Sequence, residues 1–245
     1  MTVKNAFGLD GKVALVIGGT SGIGQAIADG YRNAGARVLV AGRTAAKLPS
    51  KDGYLADVTD SAQLTKLVES VVADHGRIDV LVNSQGILRL KPAEEFGAGD
   101  WDAIIDTNLK SVFFACTEVG RHMLARGSGA IVNIASLASY RGWRGSALYA
   151  VSKAGVVNLT ETLATEWAGR GVRVNAIAPG FFLTDLNRDK LVGERKERAV
   201  ARTPMGRMGE VGELAGAAIY LACDAASFVT GETIRVDGGF LAAGL

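Results

Sequence analysis

The stretch KVALVIGGTSGIGQAIADGYRNAGARVLVA, residues 12–41, decides the fold. Its first six residues, KVALVI (12–17), are almost wholly apolar and rich in β-branched side chains, which predicts a strand covered on both faces. GGTSGIG (18–24) follows at once and opens a helix over 23–34, with Gly35 as its C-terminal cap and RVLVA (37–41) as a second strand. Gly18 permits the sharp turn out of the strand, Gly22 lets backbone approach a pyrophosphate, and Gly24 lets helix pack on sheet. A helix N-terminus offers free N–H groups and a positive dipole end to phosphate. The spacing GxxxGxG is looser than GxGxxG, and a glycine-rich turn can be only a turn. Its place between a first strand and a first helix is what favours the ligand-binding reading.

The rest of the chain repeats the alternation. Further strands are predicted at 53–57 (GYLAD), 78–82 (IDVLV), 130–135 (AIVNIA), 172–178 (VRVNAIA) and 233–237 (TIRVD), and further helices at 61–75, 100–126, 148–169 and 210–223. Gly171 reads as a second helix cap. Alternating β and α predicts a single-domain, Rossmann-type, doubly wound parallel sheet of about seven strands, flanked by helices on both faces, over residues 1–245. The connection from Gly42 to the third strand is close to the shortest that a parallel crossover allows, and Pro49 limits any helix there to a turn or two.

Composition excludes several classes of function. With 27 basic and 25 acidic residues the net charge is +2, and no basic run marks a nucleic-acid surface. Apolar runs are broken too soon to span a bilayer, and the N-terminal MTVKNAFGLDGK lacks the apolar core of a signal peptide, so a cytoplasmic protein is expected. Cys116 and Cys223 lie in apolar helix-like stretches without a basic neighbour and read as buried free thiols in a reducing compartment. His75 and His122 are far apart, and no metal site is visible.

Four segments carry a family resemblance. They are the turn at 17–24, where Ile17 stands in place of a threonine; NSQG (83–86); YAVSK (149–153); and APGFFLTDL (178–186). Over nearly its whole length the chain resembles the short-chain dehydrogenase/reductase family, most nearly its sugar-acid and polyol dehydrogenases. The resemblance implies a hydride transfer between a nicotinamide cofactor and a secondary alcohol or ketone. It assigns the catalytic set to Asn108, Ser136, Tyr149 and Lys153, with the family's spacing of thirteen residues between serine and tyrosine kept.

Tyr149 and Lys153 fall on one helix face. A free phenol titrates near ~10, so it is a poor base at neutral pH until positive charge, from Lys153 and an oxidised nicotinamide, favours the phenolate. Ser136 can hydrogen-bond the substrate oxygen as charge develops there. By resemblance Lys153 also holds the nicotinamide ribose and Asn108 positions a proton-relay water. A lone Tyr–Lys pair on a helix usually means only packing. Four matched positions behind a dinucleotide turn reverse that reading.

The cofactor contacts expected are Gly18, Thr20, Ser21, Gly22, Ile23 and Gly24 in the turn, Asn83 and Gly86 beside the ribose, and Asp57 and Val58 at the adenine. Tyr149, Lys153, Pro179, Gly180 and Thr184 are expected around the nicotinamide. Where NAD-dependent members carry an acidic residue, this chain has Gly42 followed by Arg43 and Thr44, which favours NADP(H), with NAD(H) the alternative. Residues 185–205 correspond to the family's substrate lid. Arg89 and Arg144, beside the expected cleft, are candidates for a substrate carboxylate. The apolar ending GGFLAAGL suggests burial against a symmetry mate, usually in a homotetramer. Competing readings are a reductase of carrier-bound 3-oxoacyl chains and, of another class, a non-catalytic nucleotide sensor. Retention of both Tyr149 and Lys153 weighs against the sensor.

Overall fold

Successive side chains of a strand face opposite sides, so a strand that is apolar throughout demands cover on both. The computed structural model, which describes residues 6–243, meets that demand with one seven-stranded sheet. The strands are β1 (Val13–Ile17), β2 (Arg37–Gly42), β3 (Gly53–Leu55), β4 (Val80–Asn83), β5 (Gly129–Ile134), β6 (Val172–Pro179) and β7 (Thr233–Val236). Every pairing is parallel, in the order β3-β2-β1-β4-β5-β6-β7.

Alternate residues of β1 separate the two core layers. Val13, Leu15 and Ile17 pack beneath α2 (Ser61–His75), α4 (Ser111–Arg126) and α5 (Ala147–Trp167), whereas Ala14 and Val16 pack beneath α1 (Gly22–Asn33) and α7 (Leu214–Ala222). The numbering leaves α3 for Ala98–Ile105 and α6 for Gly193–Ala201. The β2–β3 crossover holds only a 3-10 turn at Ala45–Lys47, as the proline there requires. Gly35 and Gly171 take φ of +94° and +79° where their helices give way to β2 and β6.

Three expectations shift. The third strand ends at Leu55 rather than 57, because its only partner, β2, ends at Gly42. The helix expected over 100–126 is interrupted by a π turn at Asp106–Lys110, between α3 and α4. That over 210–223 opens with a 3-10 turn at Val211–Glu213 before α7. Among the described residues no helix is long and apolar enough to cross a membrane.

Part of the apolar C-terminal segment packs against its own chain. Phe240 is buried within its own chain, its ring 5.5 Å from that of Trp143 and 5.3 Å from that of Phe181. The last two residues of the apolar tail, 244 and 245, lie outside the described residues.

Candidate active site

The strand order reverses between β1 and β4, and in open α/β sheets ligands bind in the crevice at the carboxyl ends of the strands at such a point. Gly18 leaves β1 with φ of +77°, and a Cβ there would stand 2.8 Å from the amide nitrogen of Gln85, on the segment leaving β4. Gly24 is equally constrained, since its Cβ would overlap the carbonyl oxygen of Gly18. The two glycines thus bring α1 and the β4 loop together around one gap.

The start of α1 differs from that of α2. Asp60 caps α2, its Oδ1 accepting from the amides of Ala62 and Gln63. Ser21, at the same place on α1, makes no side-chain cap, and the first turn of α1 holds no acidic residue. The N–H groups and the positive dipole end are left for an anion. Ser21, Gly22 and Ile23 line a cleft of about 820 Å³ with Gly18, Gly86 and Thr184. Uncapped amides and a glycine cradle that a Cβ would fill, at the carboxyl ends of the strands, fit a dinucleotide.

Not every expected cofactor contact lies there. Asn83 is buried, its Nδ2 donating to Asn133 Oδ1 at 2.9 Å and to Cys116 Sγ at 3.3 Å, so it ties β4 to β5. It is Ser84 and Gln85, the two departures from the family's pattern, that line the cleft with Gly86. Val58 is buried in the core layer. Asp57 accepts from Thr59, and its other carboxylate oxygen stands 3.9 Å from the exposed guanidinium of Arg43. Gly42 abuts Thr20, whose Cγ2 would lie 2.7 Å from a Cβ at residue 42. Thr44 starts the 3-10 turn beyond it.

The four residues expected to carry catalysis are brought together. Ser136 follows β5, where its Oγ accepts from the amide of Ala138 at 3.2 Å, and it lines the same cleft wall as Tyr149. Tyr149 lies in the first turn of α5, and Lys153 one turn on. Lys153 is buried, 4 % exposed, and its Nζ donates to the carbonyl of Ile134 at 2.7 Å. Asn108 occupies the π turn, fully buried. Its Oδ1 accepts from the amide of Ile87 at 2.7 Å, while its Nδ2 donates to the carbonyl of Ile87 at 3.0 Å and to Ser152 Oγ at 3.1 Å. Ser152 Oγ in turn donates to the carbonyl of Tyr149 at 2.7 Å. A continuous polar chain therefore runs from the β4 loop through Asn108 and Ser152 to the backbone of the tyrosine. The π turn adds a residue to the helix and aims Asn108 inward. Ser152 was not singled out from the sequence, and its place inside YAVSK is the one signal that could have found it.

The electrostatics correct one expectation. Burial pushes the Tyr149 hydroxyl above its ordinary value, and Ser136 beside it only partly opposes this. Burial also brings Lys153 down to about 8 from 10.5. Without a bound ligand, desolvation outweighs any pull of the amine on the phenol.

A second cleft, of about 680 Å³, adjoins the first and shares Ser136, Tyr149, Pro179 and Gly180 with it. Neither substrate candidate lines it. Arg89 is paired with Asp100, Nη1 to Oδ1 at 2.6 Å, and Lys91 grips the other carboxylate oxygen at 2.6 Å. Arg144 stands in an outer hollow beyond Trp143. The cations that do line the second cleft are Lys190 and Arg195, from the segment before α6 and its first turn. Asn187 also lines it, with its amide committed to Phe182 and Thr184.

Comparison with known proteins agrees with this layout. Residues 18–241 match the family model described as enoyl-(acyl carrier protein) reductase. The chain is 43 % identical to the D-threitol dehydrogenase of Mycolicibacterium smegmatis over 98 % of its own length and 96 % of the relative's. It is 42 % identical to a 3-oxoacyl-[acyl-carrier-protein] reductase of Thermotoga maritima, over 95 % and 99 % of the two chains. The crystal structure of a gluconate 5-dehydrogenase from Burkholderia cenocepacia, in complex with NADP and tartrate, superposes with a TM-score of 0.95 at 38 % identity, covering 99 % of this chain and 100 % of that one. The chain belongs to the short-chain dehydrogenase/reductase family, oxidoreductases that act on CH–OH groups with NAD(P).

Proposed function

We propose that this protein is an NADP(H)-dependent dehydrogenase/reductase that interconverts a secondary alcohol and a ketone on a sugar acid or polyol. The observation that carries the reading is the meeting of the two clefts at Ser136 and Tyr149. One cleft fits a dinucleotide and the other can take a small substrate, so it is there that both can touch the same proton donor.

Tyr149 exchanges the proton of the reacting hydroxyl through its Oη. Ser136 donates to the same substrate oxygen as negative charge grows on it. Lys153 is placed to hold a ribose hydroxyl while keeping a positive charge one turn below the phenol. Asn108 and Ser152 fix the backbone on which Tyr149 rides. When bound, the nicotinamide accepts or returns the hydride and brings the positive charge that an otherwise buried phenol lacks. The exposed Arg43, with Gly42 where an acidic residue would repel a 2′-phosphate, supports NADP(H) over NAD(H). NADP is also the cofactor bound in the Burkholderia cenocepacia structure.

The same proposal takes residues 185–205 as a lid that excludes water over the second cleft. It takes the working protein to be a cytoplasmic homotetramer, a setting with which the buried free thiols Cys116 and Cys223 are consistent. Reduction of a carrier-bound 3-oxoacyl chain is the second reading. It is favoured by the leucines of the second cleft, Leu88, Leu90 and Leu191, and by the arginines of the hollow outside it.

The test is Tyr149→Phe. Turnover should fall by about three orders of magnitude or more, the scale of general acid–base catalysis together with lost phenolate formation. NADPH binding, followed by the quenching of tryptophan fluorescence, should stay within about twofold of wild type. Comparable turnover in the variant, over ketoses, keto-acids and 3-oxoacyl thioesters alike, would remove Tyr149 from the chemistry.

A further inference from the structure

We infer that Arg195 recognises a carboxylate on the substrate, so that within the sugar-acid or polyol class the physiological substrate is an aldonic or keto-aldonic acid rather than a neutral polyol. This rests on the dehydrogenase reading above and narrows it.

Three observations converge on Arg195. First, the residues lining the second cleft include two cations, Lys190 and Arg195, and no carboxylate. Lys190 is already neutralised, with Nζ 3.0 Å from Asp189 Oδ1 and a bond to the carbonyl of Leu186. Arg195 makes no ion pair among the described residues, although Glu194 is its neighbour, because Glu194 faces Arg198 instead at 3.7 Å. Arg195 is an exposed residue at the rim of an otherwise largely apolar cleft, and a guanidinium without a counter-ion there is matched by a planar carboxylate that can take two of its N–H groups.

Second, Trp143 lines the same cleft, and its indole N–H is buried without an acceptor. Two other polar groups nearby are engaged. Ser146 Oγ donates to the carbonyl of Trp143, and the amide of Asn187 is used within its own turn. The indole N–H is too enclosed to be reached from the cleft, so the donors the cleft has to spare are the guanidinium of Arg195 and the hydroxyls of Ser136 and Tyr149, and a substrate rich in acceptor oxygens, one of them charged, meets them.

Third, Arg195 is shared with the outer hollow, where Arg144, Arg198 and Arg202 stand with Glu194 as the only acid. The positive potential thus runs from the solvent to the cleft and ends at the one cation lining it that lacks a partner. Such a funnel raises the encounter rate of anions and is weakened by salt. This gives Arg144 a different part from the one expected of it, at the entrance rather than at the carboxylate.

The experiment compares D-gluconate with D-threitol as alternative substrates for the wild type and for Arg195→Met and Arg195→Lys, with NADP⁺ saturating. The ratio of kcat/KM for the acid to that for the polyol should favour the acid in the wild type. In Arg195→Met it should fall by about 10- to 100-fold, the loss of one charge-assisted pair, mostly through KM of the acid. Arg195→Lys should recover part of the preference. Raising ionic strength should lower kcat/KM for gluconate and leave that for threitol level. An unchanged ratio in Arg195→Met, or a wild type that oxidises threitol but not gluconate, overturns the carboxylate assignment and leaves the dehydrogenase reading standing. If the wild type turns over neither but reduces 3-oxoacyl thioesters with NADPH, that reading and this inference fall together.

Discussion

At the scale of single residues, the site combines a phenol and an amine that the protein interior treats in opposite ways. Burial disfavours charge on each, so it raises Tyr149 and lowers Lys153. Burial thus disfavours the charged form of both members of the pair, and the cost falls on stability. An unfolded chain keeps the Lys153 proton up to about 10.5, whereas the folded protein releases it near 8. Between those values the unfolded state binds more protons, so stability rises with pH there, and the burden is greatest below pH 8. A displacement of that size corresponds to about 3 kcal/mol at most. We expect Lys153→Met to abolish this pH dependence. In urea unfolding of the nucleotide-free protein, the wild type should gain about 2–3 kcal/mol relative to the variant between about pH 7 and about pH 10. The carbonyl of Ile134, which loses its donor in the variant, adds a constant to that difference and cannot produce its slope. Parallel stability curves across that window would show that the amine is not buried as a charge at all.

At the scale of elements, the parts legible in the sequence are those whose physics is local. β1 and β2 announce themselves because both faces of a central parallel strand must be apolar, and the turn at 18–24 because backbone at φ above zero demands glycine. The π turn at Asp106–Lys110 was not legible, since one extra residue leaves the helical pattern of α3 and α4 nearly intact. Arg89 misled for a different reason. Its partner Asp100 lies eleven residues away on α3, and nothing local shows the pair. Arg195 was hidden in a charged stretch that reads as solvated surface, and only the packing of α6 brings it to Tyr149. The glycine turn supports a prediction that separates local strain from contact between elements. Gly24→Ala places a Cβ against the carbonyl of Gly18 and must push α1 off β1, costing about 1–3 kcal/mol and weakening NADPH binding with it. Gly76→Ala, at φ of +77° with nothing within 4 Å of the added carbon, should cost about 1 kcal/mol and leave binding level. Calorimetric titration with NADPH beside urea unfolding separates the two, and equal losses of affinity would mean that the α1–β1 contact does not shape the cleft.

At the scale of the whole molecule, the helix that carries the chemistry also borders an exposed apolar face. α5 carries Tyr149 and Lys153 at its start, and its far side leaves Val151 52 % exposed. Beside it, α4 leaves Phe113 42 % exposed, its ring set edge-on to that of Phe114 at 5.2 Å, and Trp101 on α3 is 48 % exposed. Large apolar side chains clustered on neighbouring helices are costly to leave in water and mark a surface that another chain covers. With Phe240 already buried at home, this helical face is a better candidate than the C-terminal tail for the main contact of the proposed tetramer. A two-fold axis across such a face would set α4 and α5 against their own copies, so every contact between two apolar side chains occurs twice. Phe113→Glu with Phe114→Glu would place four like charges at each such contact, where repulsion and desolvation act together. The expected result is a smaller particle by light scattering after size-exclusion chromatography, with a lower kcat because α5 loses the support on which Tyr149 depends. A native mass in the double variant would mean that these helices face solvent in the assembled enzyme, and the search for its contacts would return to the other end of the sheet.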